Sequence, residues 1–236
     1  IRPGEISLAH RGVLFLDELA EFKAAVLQSL RQPMESGSVC LTRAEGNVVF
    51  PARFMLVAAS NPCPCGFLGD PERACTCSDV QVRQYQSRIG GPLMDRIDVQ
   101  LDIGRMPPSG VLGSGGGTDS ATLREGVMRA RAFAQWRERR AKGAASGAED
   151  GNARSGAPGR PRAGSPQEVI ASCRLSKEAE DFIVSMAQAY AMSGRALVSV
   201  LGVARTIADL NEREAVDAEH LAEALAFRLR EGIGGR

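Results

Sequence analysis

The chain has 236 residues, 44% of them hydrophobic and 24% charged, with a formal net charge of +1. That composition suits a folded protein of one large domain or two small ones, and it excludes both a wholly disordered chain and a polycation that holds partners by bulk charge. No apolar run approaches the ~20 residues of a membrane span, and Ile1-Arg2-Pro3-Gly4 offers neither a starting Met nor a basic, apolar leader. The expectation is a cytoplasmic protein without membrane association, of which this chain is a fragment lacking an N-terminal part.

The first informative stretch is Gly12-Val13-Leu14-Phe15-Leu16-Asp17-Glu18. Such runs form buried strands of parallel sheets, with helices over both faces. The two carboxylates then fall at the strand's carboxyl end, where ligands bind in open α/β sheets. An Asp there can hold a magnesium ion on phosphates, and a Glu beside it can activate a water. The plainer alternative is a core strand that ends in acidic helix-capping residues.

Glu21 to Gln32 is predicted as a helix with Phe22, Val26, Leu27 and Leu30 on one face, ending before Pro33. Residues 38–42 and 47–50, separated by Arg43-Ala44-Glu45-Gly46, predict a β-hairpin in which Gly46 is free to take a positive φ. Phe54 to Ala59 is a second buried strand, ending in Ser60-Asn61-Pro62. A cysteine-rich loop follows over 62–78, and then a polar helix from Asp79 to about Arg88. Ile97, Val99, Leu101 and Ile103 alternate with Asp98, Gln100 and Asp102, the pattern of a strand with one covered face. Strands alternating with helices place the chain in the α/β class.

Residues 107–118 read as a flexible linker, 119–142 as a basic helix, and 143–166 as disordered for want of anything to bury. From Gln167 onward Ser176, Ser193 and Asp217 cap successive helices of a small bundle. Cys63, Cys65, Cys75 and Cys77 form a C-x-C…C-x-C pattern. In a reducing compartment four clustered thiols suggest a zinc site, although one residue between the paired cysteines is tight; reduced loop cysteines are the alternative. Cys40 and Cys173 read as small buried hydrophobes, and His10 and His220 as packing residues.

Residues 3–19 (Pro-Gly-Glu-Ile-Ser-Leu-Ala-His-Arg-Gly-Val-Leu-Phe-Leu-Asp-Glu-Leu) resemble the Walker B region of the magnesium-chelatase-like AAA+ ATPases, and more narrowly the bacterial ComM/YifB branch. Ala59-Ser60-Asn61-Pro62-Cys63-Pro64-Cys65-Gly66, Gly91-Pro92-Leu93-Met94-Asp95-Arg96-Ile97-Asp98 and Val203-Ala204-Arg205-Thr206-Ile207-Ala208-Asp209-Leu210 match in the same order. The resemblance implies a partial AAA+ core over 1–106, with a presensor-1 β-hairpin, and a helical lid over 167–236. It implies ATP and magnesium as cofactors, a ring of identical subunits (a hexamer), and work on DNA as a helicase or branch-migration motor. A chelatase motor that drives metal into a tetrapyrrole is the alternative, as is a non-catalytic zinc-stabilised interaction module.

By the same resemblance Asp17 belongs to the magnesium shell, Glu18 polarises the attacking water, and Asn61 is the sensor that reads the γ-phosphate. For Asn61 the alternative is an Asx-turn before Pro62. Arg96 is an arginine finger toward the neighbouring subunit, or else an ion pair with Asp95 or Asp98. Arg195 is the second sensor, with Arg205 as a further candidate that alternatively covers the bundle surface. Arg43, near the hairpin tip, is a candidate phosphate contact for DNA, and a solvated Arg otherwise. The arginines of 119–142 read as a solvated face before a nucleic-acid one. No G-x-x-x-x-G-K-[ST] loop occurs in the chain, so this chain by itself is not expected to turn over nucleotide.

Overall fold

A computed structural model describes residues 2–43, 46–104, 117–145 and 165–228, except for the side chains of 43 and 142–145. The expected linker and disordered segment fall for the most part outside the described residues. Two units are resolved: residues 2–97 with 102–104, and residues 98–101 with the described residues from 117 onward.

In the first unit a short helix α1 (Glu5–Leu8) precedes β1 (Val13–Leu16), and β1 pairs in parallel with β4 (Met55–Ala58), Val13 opposite Met55 and Leu16 opposite Ala58. Alternation along each strand sends Leu14, Leu16 and Ala58 onto a core of Leu19, Leu27, Leu30 and Leu93. The opposite face is not covered among the described residues: Val13, Phe15 and Met55 stay 57%, 59% and 56% exposed. The expected burial of both strand faces is therefore corrected to one.

The expected helix over 21–32 is divided. A 3₁₀ turn at Leu19–Glu21 leads to α2 (Ala24–Ser29), and α3 (Arg31–Ser36) follows directly. Pro33 lies inside the first turn of α3 and does not end a helix, because first-turn N–H groups have no intrahelical partner to lose. Gly37 ends α3 at φ +67°, and a Cβ there would stand 2.8 Å from the Arg53 side chain. Any other residue type there would take a strained backbone and push the Arg53 side chain aside. The hairpin is present as β2 (Ser38–Arg43) and β3 (Gly46–Pro51), with Arg43 opposite Gly46 and Gly46 at positive φ. Cys40, on β2, is exposed and not a buried hydrophobe. Beyond the cysteine loop come α4 (Asp79–Ser87), capped reciprocally by Ser78 and Gln81, and the short α5 (Gly91–Met94).

Residues 97–103 do not form the expected strand. Val99, Leu101 and Ile103 are 45%, 61% and 91% exposed, and the Gln100 N–H donates to the Phe227 carbonyl at 2.7 Å. Alternation makes a segment extended, but a strand needs a neighbour's ladder, and no described strand pairs with this one.

The second unit contains α6 (Ser120–Ala145), α7 (Pro166–Cys173), α8 (Lys177–Ala189), α9 (Gly194–Leu210) and α10 (Ala218–Ala226). The expected caps are in place: Ser176, Ser193 and Asp217 accept from the N–H groups of Ala179, Ala196 and His220 at 3.2 Å. Helix α7 was not expected as a separate element. Its signal is local, for Ser165 and Glu168 form a capping box with Pro166 at the start. The core centres on α9, where Val200, Leu201, Ala204, Ile207 and Ala208 pack with Cys173, Ile183, Val216, Leu221 and Leu225. No helix among the described residues is long and apolar enough to cross a membrane.

One buried ion network ties α6 to α9. Arg137 donates to both Asp209 oxygens, at 3.1 and 3.2 Å, and Arg205 reaches the same carboxylate at 3.0 Å. Removing the anion leaves two guanidinium groups facing each other out of water. Asp209→Ala is therefore expected to destabilise the unit by about 3–5 kcal/mol. A fall in urea midpoint, followed by fluorescence of Trp136 on α6, checks this; an unchanged midpoint contradicts it.

Candidate active site

Because β1 and β4 are parallel neighbours in register, both end at the same edge of the sheet. Asp17 and Glu18 follow one strand and Ser60 and Asn61 the other, and all four are exposed. The ladder continues briefly past the strands: the Ala59 N–H donates to Leu16 O at 2.9 Å, and the Leu19 N–H to Ala59 O at 2.8 Å. The acid pair and the asparagine are thus brought to one edge by topology.

Local backbone shapes the acid pair. Asp17 Oδ1 accepts from the Glu18 N–H at 2.9 Å, and Glu18 sits in the left-handed region at φ +50°. A non-glycine residue held there stores strain of about 1–3 kcal/mol, a feature that concentrates at functional sites. Exposed carboxylates side by side suit a hard cation that keeps part of its water shell, which is the binding habit of magnesium.

Tyr85 on α4 was not identified from sequence. It is only 4% exposed, and burial, with the charge of Glu21, raises its pKa, while a side-chain hydrogen bond with Ser60 lowers it. Gln86 donates to Pro62 O at 3.0 Å, and Arg88 pairs with Glu21 at 3.5 Å. Gln86 of α4 therefore holds the chain just after Asn61. The i, i+1, i+3 grouping of Tyr85, Gln86 and Arg88 was visible, but nothing local says that it faces the end of β4.

Arg96 is 12% exposed, bonded to the Glu35 carboxylate of α3 and to the Pro92 carbonyl. Its partner is thus Glu35 rather than the adjacent Asp95 or Asp98; Asp98 accepts from the Ser199 hydroxyl. Arg195 is exposed at the start of α9. Arg205 is 6% exposed, and besides Asp209 it donates to the carbonyls of Glu214, at 2.7 Å, and Arg213. Burial lowers its pKa, partly offset by Asp209. Its Nη donors are taken up in the bundle interior, so it does not cover the bundle surface. Arg43 ends β2, and its side chain lies outside the described residues.

The four loop cysteines converge, with all four sulfurs within 4.8 Å of one another. Cys63 is buried and stands 3.4 Å from Cys65 and 3.6 Å from Cys75, while Cys65 and Cys75 are 3.5 Å apart. Backbone N–H groups of Phe67 and Thr76 pull the Cys65 thiol down to about 5. The Cys77 N–H favours the Cys75 thiolate, but burial and the neighbouring thiols outweigh it and push that thiol up to about 12. Cys173, by contrast, is buried in the second unit, as expected.

An acid pair and an asparagine at the ends of neighbouring parallel strands, in a chain that also carries a helical unit, define an α/β protein of the partial AAA+ kind. The family described as magnesium chelatase, subunit ChlI, matches residues 1–110, and its C-terminal counterpart matches residues 117–228. Over 229 residues the chain is 38% identical both to uncharacterized protein YifB of Escherichia coli and to competence protein ComM of Haemophilus influenzae. YifB of Salmonella typhimurium is 35% identical over the same length. Each alignment covers 96% of this chain and 41% of the relative. The chain belongs to the ComM/YifB branch of the magnesium-chelatase-like family. It spans about two-fifths of the length of the relatives it matches.

Proposed function

We propose that this chain carries the hydrolysis and lid segments of an ATP-driven AAA+ ring motor that works on DNA as a helicase or branch-migration factor. The observation that carries the reading is the shared edge at which Asp17, Glu18 and Asn61 leave adjacent parallel strands. Magnesium supplies charge neutralisation on the phosphates when bound, and Asp17 is the residue to hold it, through water. Glu18 accepts a proton from the attacking water, and the Asn61 amide, donor and acceptor at once, orients that water against the γ-phosphate. Arg96 serves the neighbouring subunit's nucleotide, which makes the working form a homo-oligomeric ring, taken as a hexamer. Arg195, exposed at a helix start, is the lid's phosphate contact in place of Arg205. Zinc, at the four thiols, is the second metal ion of this reading.

DNA as the substrate is favoured by the name of one relative, a competence protein, and by the hairpin with Arg43 at its tip. On α6, Arg137 is buried on Asp209 and Arg140 pairs with Glu214 at 2.6 Å, while Arg124, Arg129, Arg131 and Arg139 stay exposed. The chelatase name of the matching family favours a second reading, a motor for metal insertion. DNA binding by the full-length protein as a function of salt separates the two. A steep salt dependence and DNA-stimulated turnover are expected, and Arg43→Ala should reduce the salt slope by about 1. Turnover indifferent to DNA, with metal insertion into a porphyrin in the presence of partner subunits, favours the second reading.

A further inference from the structure

We infer that Cys63, Cys65, Cys75 and Cys77 bind one zinc ion whose work is to fix the segment that carries Asn61. The site stands on geometry. Four sulfurs around zinc at ~2.3 Å lie ~3.8 Å apart in a tetrahedron, and the three separations given above, 3.4 to 3.6 Å, need only a few tenths of an ångström of outward movement. All four cysteines are free thiols. Soft thiolates in tetrahedral array select zinc over the hard cation of the acid pair.

The tight C-x-C spacing is accommodated by the loop itself. Gly66, at φ +81° and with open space where a Cβ would stand, folds the chain back directly after Cys65. Within the second pair the Cys77 N–H lies 3.4 Å from the Cys75 sulfur. Backbone donors of this kind orient thiolate ligands and stabilise their charge. Between the two pairs, Asp70 Oδ1 accepts from the N–H groups of Glu72 and Arg73 at 2.8 and 2.9 Å, and the Arg73 guanidinium stacks 4.4 Å above the Phe67 ring. The ligand pairs are therefore held by bonds that do not involve an ion.

The position of the cluster assigns its purpose. Cys63 lies two residues after Asn61, and Cys77 directly precedes Ser78, the cap of α4. An ion bridging the pairs would tie the end of β4 to the start of α4. The later turns of α4 hold the same segment through Gln86 to Pro62. Asn61 is then fixed from its C-terminal side by metal and helix, and from its N-terminal side by the bonds of Ala59 to β1 and Leu19. This second part rests on the sensor role proposed above; the metal site itself does not.

Metal analysis of the purified full-length protein tests the site, with about one zinc per chain expected, lost in both Cys63→Ser and Cys75→Ser. Hydrogen exchange tests the anchoring: removing zinc with a chelator should speed exchange over 59–78 by about tenfold or more, and adding zinc back should reverse it, with 177–226 unchanged. That reversibility separates a lost ion from a misfolded variant. Protein that neither contains zinc nor takes it up on titration overturns the site, and iron at the thiols overturns the choice of ion. Zinc that leaves without changing exchange over 59–62 overturns the anchoring. None of these readouts uses ATP, so they stand apart from failure of the motor reading.

Discussion

Replacing Arg96 by alanine is expected to lower ATP turnover of the full-length ring by about 10³–10⁵-fold while nucleotide still binds, the loss typical of a missing arginine finger. A guanidinium can fork onto phosphate oxygens and never loses its charge, and a methyl group in its place supplies neither property. The structure places this side chain on Glu35, within its own chain. Glu35 is 43% exposed while Arg96 is 12% exposed, so water screens the carboxylate side of the pair more than the guanidinium side. A phosphate carrying more charge can draw Arg96 away from it. Glu35→Gln should accordingly change turnover only a few-fold. Mixing subunits gives the sharper check. Arg96→Ala subunits retain Glu18, and Glu18→Gln subunits retain Arg96, so a mixed ring should recover part of the activity that neither has alone. No recovery on mixing would place Arg96 outside the shared site.

Glu18→Gln is the second large effect, with turnover falling about 10²–10⁴-fold as the general base is lost. The substitution keeps the side chain's length, and Gln faces the same backbone demand at φ +50°, so the fold should hold. On the proposed reading Asp17 remains to hold magnesium. Nucleotide affinity measured with a fluorescent analogue should therefore stay near that of the unchanged protein while phosphate release stops. An equal loss of affinity and turnover would show that Glu18 binds rather than activates.

The two substitutions also separate the halves of the proposed site. Glu18 is positioned by contacts close in sequence, the Asp17 carboxylate and the turn into Leu19. Arg96 is positioned by Glu35, far away in sequence. Glu35→Gln should reach Arg96 without touching the acid pair.

By itself the sequence determined the parts governed by neighbours along the chain. Val13 to Leu16 and Phe54 to Ala59 announced strands through apolar runs, and Asp17, Glu18 and Asn61 followed at their ends. Ser176, Ser193 and Asp217 announced helix starts because a short polar side chain closes an N–H two or three residues on. The paired cysteines were equally legible, since their convergence needs only one loop. Even the missed helix at Pro166–Cys173 had its signal in Ser165 and Glu168.

Only the tertiary structure decided what depends on distant partners. It showed that Arg205 lies buried on Asp209 rather than over the bundle surface, because helix periodicity cannot say which neighbour covers a mid-helix arginine. It gave Arg96 to Glu35 over the nearer Asp95 and Asp98, and set Tyr85 beside Ser60. It also left 97–103 unpaired despite unbroken alternation, and one face of β1 and β4 uncovered among the described residues. Pattern fixes the local conformation of a segment, whereas hydrogen-bond ladders, buried charges and covered faces are properties of pairs of segments, and those pairs exist only once the chain has folded.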